Sequence, residues 1–153
     1  MKTLTRILLL LAITMSALSV TTSCTRNNGD IGDWFGRWEI MEIDADGAPV
    51  PGYEPRFAFA FQNDIVCISY YGEYAEKIDR WATWSQPADN MLLIDTNHSD
   101  DSGDGRYRVF DALHMTPAGV TSFNIVHSSG KDVTLSQTAS DGITYTYILR
   151  KRC

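Results

Sequence analysis

Alternation of large apolar residues with small or polar ones dominates the chain after residue 33. Arg56-Phe57-Ala58-Phe59-Ala60-Phe61 is its sharpest example, with three Phe on one side of a pleat and two Ala on the other. Gln62-Asn63-Asp64 then connects to the apolar run Ile65–Tyr71, and the pair reads as a hairpin. Upstream, Trp38–Ile43 is strand-like and ends at the turn signal Asp44-Ala45-Asp46-Gly47, while Val50–Pro55 carries two prolines and suits neither a central strand nor a helix. Tyr74–Gln86 is ambiguous, because Glu76, Lys77 and Arg80 could lie on a helix, but Trp81, Thr83 and Trp84 favour a strand that ends at Pro87-Ala88-Asp89-Asn90. Met91–Ile94 is a short strand, Asp95–Gly105 a polar loop, and Arg106–Phe110 with Ala112–Met115 reads as one further strand. Val120–His127, Asp132–Gln137 and Ile143–Arg150 complete the series. Eight or nine short strands at spacings of about ten residues, with no helix and no internal repeat, predict an all-β protein, an antiparallel barrel or sandwich.

The first 33 residues follow another pattern. Met1–Arg6 is basic, Ile7–Val20 is an apolar run of 14 residues, and Thr21-Thr22-Ser23 leads into Cys24. A charged head, a short apolar body and small residues at the end make an export signal, too short and wrongly flanked to remain as a membrane span. The segment resembles the lipobox of bacterial lipoproteins, in which the cysteine is acylated and becomes the first mature residue. Thr21 stands where such boxes usually carry an aliphatic residue, and Ser23 fits. Cleavage as an ordinary secreted protein, with Cys24 a plain thiol, is the competing outcome. The expected organisation is a signal peptide over 1–23, a polar, glycine-bearing tether over 24–33 and a folded domain over 34–153. The resemblance implies a lipid anchor at Cys24 and a place in the cell envelope. Thr25 and Arg26 lack the aspartate that retains enteric lipoproteins in the inner membrane, so outer-membrane placement is expected.

Charge narrows the partners. Removing residues 1–23 leaves 11 basic and 19 acidic residues in 130, a net of about −8. That balance repels phosphate backbones and argues against nucleic acid. It also gives no help at an anionic lipid surface, so membrane attachment falls to acyl chains on Cys24. Cys67 lies in the apolar run Ile65–Ile68 and suits a buried free thiol, and Cys153 is the last residue; a disulfide between them is left open.

Gly36-Arg37-Trp38 at the start of the first strand and Thr144–Lys151 in the last together resemble the lipocalin-like domains of Bacteroidota lipoproteins, across about Trp34 to Lys151. The resemblance implies an up-and-down barrel of eight or nine strands. It also implies that Trp38 packs under the barrel floor, with Arg150 of the final strand lying over its ring.

Candidate chemistry is sparse. Asp95, Asn97 and Ser99 match the start of an EF-hand loop, but Asp100 stands at the required glycine and Arg106 at the required glutamate, which excludes that form. His98, His114 and His127 are scattered, with no zinc-type spacing. Gly103-x-Gly105 has neither a third glycine nor a following helix, and the serines beside His127 make no triad. No catalytic residue, metal site or cofactor is expected, and no enzyme activity. The aromatics remain. All four Trp, seven Tyr and six Phe lie after residue 33, and Tyr70, Tyr71, Tyr74, Trp81 and Trp84 gather in the central third. They either fill the core or line an open barrel mouth, where rings with polar handles suit a small ligand.

Two functions follow. In one, the barrel captures a small apolar or amphipathic ligand, with Tyr70, Trp81 and Trp84 as the residues lining it. In the other, a filled, non-catalytic barrel contacts another envelope protein or a glycan through loops such as Pro49–Pro55 and Asp95–Gly105. A cavity of at least about 300 Å³ open at one barrel end favours capture, and a core packed throughout favours contact. Trp81 and Trp84, three residues apart, fall on opposite faces of a regular strand, so only a bulge between them, or a strand that starts later, brings both rings to one side.

Overall fold

A computed structural model describes residues 32–99 and 108–152. The segment read as a signal, Cys24 and most of the stretch read as a tether, like Cys153 and the part of the Asp95–Gly105 loop from residue 100 onward, lie outside the described residues.

Among the described residues nine strands run β1 (Gly36–Ala45), β2 (Ala48–Pro49), β3 (Phe57–Gln62), β4 (Ile65–Tyr71), β5 (Lys77–Ala88), β6 (Met91–Asp95), β7 (Val120–Ser128), β8 (Asp132–Thr138) and β9 (Thr144–Arg152). All neighbours are antiparallel, and β1 also pairs with β9, from Arg37 opposite Arg152 to Ala45 opposite Tyr145. Eight strands thus close into a barrel, and β2 is a two-residue extension paired to the end of β1. Closure leaves few unpaired sheet edges. The chain enters at one end, the floor, beside the Asn63-Asp64 turn. The opposite end, the mouth, carries the β1–β3, β4–β5, β6–β7 and β8–β9 connections.

Alternation sorts the side chains. Phe57, Phe59 and Phe61 point inward opposite Tyr70, Ile68 and Val66 of β4, as the expected hairpin requires. Ile40 and Ile43 are three apart, yet both are fully buried, because the β1–β9 register slips between Ile40 and Glu42 and one residue bulges out. Leu92, Ile94, Phe123, Leu135, Tyr147 and Leu149 complete a closely packed interior.

Two local expectations are corrected. The polypeptide around Val109–Met115 is not a strand: Val109–Ala112 forms one helical turn, here α1, followed by a turn at Leu113-His114. Val109, Phe110 and Leu113 recur at helical spacing, and all three are buried, with Met115 beside them. This segment folds over the mouth as a plug. β5 also begins later than expected, at Lys77, and runs through Pro87, where the pairing with β6 is irregular between Ser85 and Ala88.

Candidate functional site: a cleft at the barrel mouth

The floor is an aromatic cluster. Trp38 is buried, its indole N–H donates to the Trp34 carbonyl at 2.8 Å, and the Trp34 N–H donates to Gln86 at 2.8 Å. Trp34 packs on Phe61 with ring centroids 5.1 Å apart, and Phe61 meets Trp84 edge-on at 5.1 Å. The cation over Trp38 is Lys151, not Arg150. Lys151 pairs with Trp38 in the β1–β9 register, and its ammonium stands 5.1 Å from the ring centroid while donating to the Asp33 carbonyl. Arg150 is one residue away and therefore on the outer face, where it pairs with Asp132 at 3.1 Å. A one-residue change of position reverses the side of the sheet.

The proposed ligand residues are dispersed. β5 is regular from Lys77 to Ser85, so Trp81 and Trp84 point to opposite sides. Trp81 is on the outer wall and 55% exposed, paired across from the buried free thiol of Cys67, while Trp84 is locked into the floor cluster. Tyr70 lies at the mouth. Among the described residues the two indoles stand on opposite faces of the barrel wall, so they do not line one ligand site together.

A different site forms around Tyr70. A cleft of about 540 Å³ opens at the mouth between the Val50–Glu54 loop, the ends of β3 and β4, the β4–β5 turn and Ala112 of α1. Its apolar side is Val50, Tyr53, Phe57, Tyr70 and Ala112. Tyr53 stacks on Phe57 with centroids 6.4 Å apart, and Phe57 meets Tyr70 at 5.2 Å. The loop is fixed to β1, since Val50 N–H donates to the Ile43 carbonyl at 2.9 Å and the Tyr53 hydroxyl donates to the Ile40 carbonyl at 2.7 Å. Tyr53 thus occupies the stretch of β1 beyond its pairing with β3, and burial pushes its phenol well above the ordinary range. The polar side is Glu54, Arg56, Glu73 and Glu76. Arg56 donates to Glu54 at 2.5 Å and to Glu73 at 3.3 Å, and the Glu54 hydrogen bond is the main reason its guanidinium is held more firmly protonated than usual. Tyr74 rims the cleft and is 84% exposed.

The plug closes the lumen beside this cleft. Gln137, inward on β8 beyond Val133 and Leu135, donates to the His114 carbonyl at 2.9 Å and to the Tyr147 hydroxyl at 2.7 Å. Tyr147 in turn donates to the Leu113 carbonyl at 2.5 Å. Two inward polar side chains therefore satisfy the carbonyls that the plug presents to the core. His114 stacks flat on Tyr145 with centroids 3.8 Å apart, and burial lowers its pKa against the opposing pull of Asp141. Thr96 donates to the Thr116 carbonyl at 2.8 Å and accepts from Gly119 N–H at 3.1 Å, bracing the far end of the connection.

Sequence reasoning did not find the Glu54–Arg56–Glu73 cluster, although a signal for it exists. A two-residue turn at Asn63-Asp64 fixes the hairpin register, and continuing that register past Phe57 opposite Tyr70 sets Glu54 opposite Glu73. Gln137 was equally accessible, as a polar residue on the buried parity of its strand.

Comparison with solved structures decides the fold. A lipocalin-like protein from Bacteroides uniformis superposes with a TM-score of 0.60 at 16% identity, covering 79% of this chain and all of that one. The barrel is lipocalin-like. An uncharacterized protein from Bacteroides eggerthii gives a TM-score of 0.54 at 16% identity, over 78% of this chain and 99% of its own. Both come from Bacteroides, in keeping with the sequence resemblance. No family model matches the chain, and no curated protein does. An eight-stranded barrel can hold one small molecule or be filled by its own side chains; here buried side chains fill the interior, and a cleft of about 540 Å³ lies at the mouth.

Proposed function

We propose that this is a lipid-anchored, non-enzymatic envelope protein that captures a small amphipathic molecule at the barrel mouth rather than in the lumen. The observation that carries the reading is the cleft of about 540 Å³ at the mouth, within the range of small-molecule sites and walled by aromatic rings on one side and charges on the other. The signal-like segment ending at Cys24 supports the anchor and outer-membrane placement, with acyl chains rather than protein charge holding it to lipid.

Native mass spectrometry of the protein purified from its own host tests both parts. The expected result is a co-purifying small molecule on the folded barrel and acyl mass on a peptide beginning at Cys24. A barrel that always emerges empty overturns capture, and a water-soluble mature protein starting elsewhere overturns the anchor. The packed interior, with Phe59, Phe61, Phe110 and Phe123 fully buried, favours a second reading, a filled barrel that contacts an envelope protein or glycan through its loops. An empty barrel in the same experiment selects it.

A further inference from the structure

We infer that the mouth cleft selects a cation, an ammonium group carried on an apolar body, and this rests on the capture reading above. Three carboxylates, Glu54, Glu73 and Glu76, border the cleft with one guanidinium, Arg56. Arg56 is engaged by two of them, at 2.5 and 3.3 Å. Its positive charge is divided between Glu54 and Glu73, so the cleft as a whole keeps a surplus of about two negative charges. A concave site concentrates such a field and draws counter-charge into it. An anionic head group would have to break the Arg56 pairs and then face the carboxylates so released.

The second observation is independent of charge. Tyr74 lies between Glu73 and Glu76 in the chain and is 84% exposed, so it contributes little to the core, yet it stands on the rim of the cleft. Tyr70 presents a second ring deeper in. Aromatic faces beside carboxylates attract ammonium groups through the ring quadrupole, and they do so without stripping as much water as an ion pair demands. Val50, Phe57 and Ala112 supply the apolar wall for the remainder of such a molecule.

Titration of the purified protein with three probes that share a dodecyl chain, each below its micelle concentration, tests the inference. The heads are trimethylammonium, maltoside and sulfate, and the readout is amide chemical-shift change with calorimetric affinity. The ammonium probe should bind best, shift residues of the 50–54 and 73–76 segments, and weaken as salt is raised. Glu73→Gln with Glu76→Gln should weaken it roughly tenfold, and Tyr74→Ala roughly threefold, with little effect on the maltoside probe. Both variants alter exposed side chains, and an unchanged amide spectrum away from the cleft certifies their fold. If all three probes bind equally at the cleft, or the variants leave ammonium affinity intact, cation selection is overturned while capture stands. If none binds there, both fall.

Discussion

The floor and the mouth of this barrel use the same residue types to opposite ends. Each gathers aromatic rings about 5–6 Å apart, Trp34, Trp38, Phe61 and Trp84 below, Tyr53, Phe57 and Tyr70 above. At the floor the cluster is sealed, and its indole N–H groups on Trp34 and Trp38 are spent on Gln86 and a backbone carbonyl. At the mouth the rings form one wall of an open cleft whose other wall is charged. Aromatic content therefore does not distinguish a core from a binding surface; what the polar neighbours leave unfilled does.

The comparison predicts unequal costs. Trp38→Ala should be the most damaging change, lowering stability by about 3–5 kcal/mol through the large void it leaves, measured by urea denaturation. Phe110→Ala should cost somewhat less, about 3 kcal/mol, since the plug can partly settle into the space. It should also expose the lumen to an environment-sensitive dye, whereas Trp38→Ala should not do so without global unfolding. Lys151→Ala should remove about 1 kcal/mol through lost cation–ring contact and stem packing, and Arg150→Ala about 0–1 kcal/mol as one half of an exposed ion pair. A larger loss at Arg150 than at Lys151 would contradict the register at the floor.

Acid should separate the two ends more subtly. His114 has its pKa lowered in the folded protein from the ordinary 6.5. The unfolded chain then takes up the proton first, so this residue's contribution is intact above about 6.5 and is lost as pH falls towards the folded value. Protection factors of the amides in residues 108–115, which divide out the intrinsic slowing of exchange in acid, should fall between pH 8 and 5.5 while those of the Trp38 region change less. His114→Gln should abolish that difference.

Strand order, the hairpin and the inward Phe residues were legible because period-two alternation states them directly in β3 and β4. The floor was legible to within one residue. The motif pointed to a final-strand cation over Trp38, but Arg150 and Lys151 are adjacent, and only the β1–β9 pairing says which of them faces inward. Ile40–Ile43 and Trp81–Trp84 make the same point as a pair. Each pair is three residues apart; a bulge places the first on one side, its absence places the second on two. Bulges depend on the partner strand, which local sequence does not contain. The plug escaped notice because one helical turn carries too few residues for its period to stand out from strand alternation, and its stability comes from Gln137 and Tyr147, more than twenty positions downstream.

The pairing of β1 with β9 also has a kinetic meaning. Arg37 meets Arg152 across nearly the whole domain, whereas every other neighbouring pair in the barrel wall joins consecutive segments of the chain. Hairpins such as β3–β4 can form as soon as their residues are available, but β1 keeps an open edge until the final strand arrives. Closing so large a loop is entropically slow, which makes the last strand the gate of folding. A chain missing β9 would keep two unpaired edges, on β1 and β8, and would be exposed to association with its own copies.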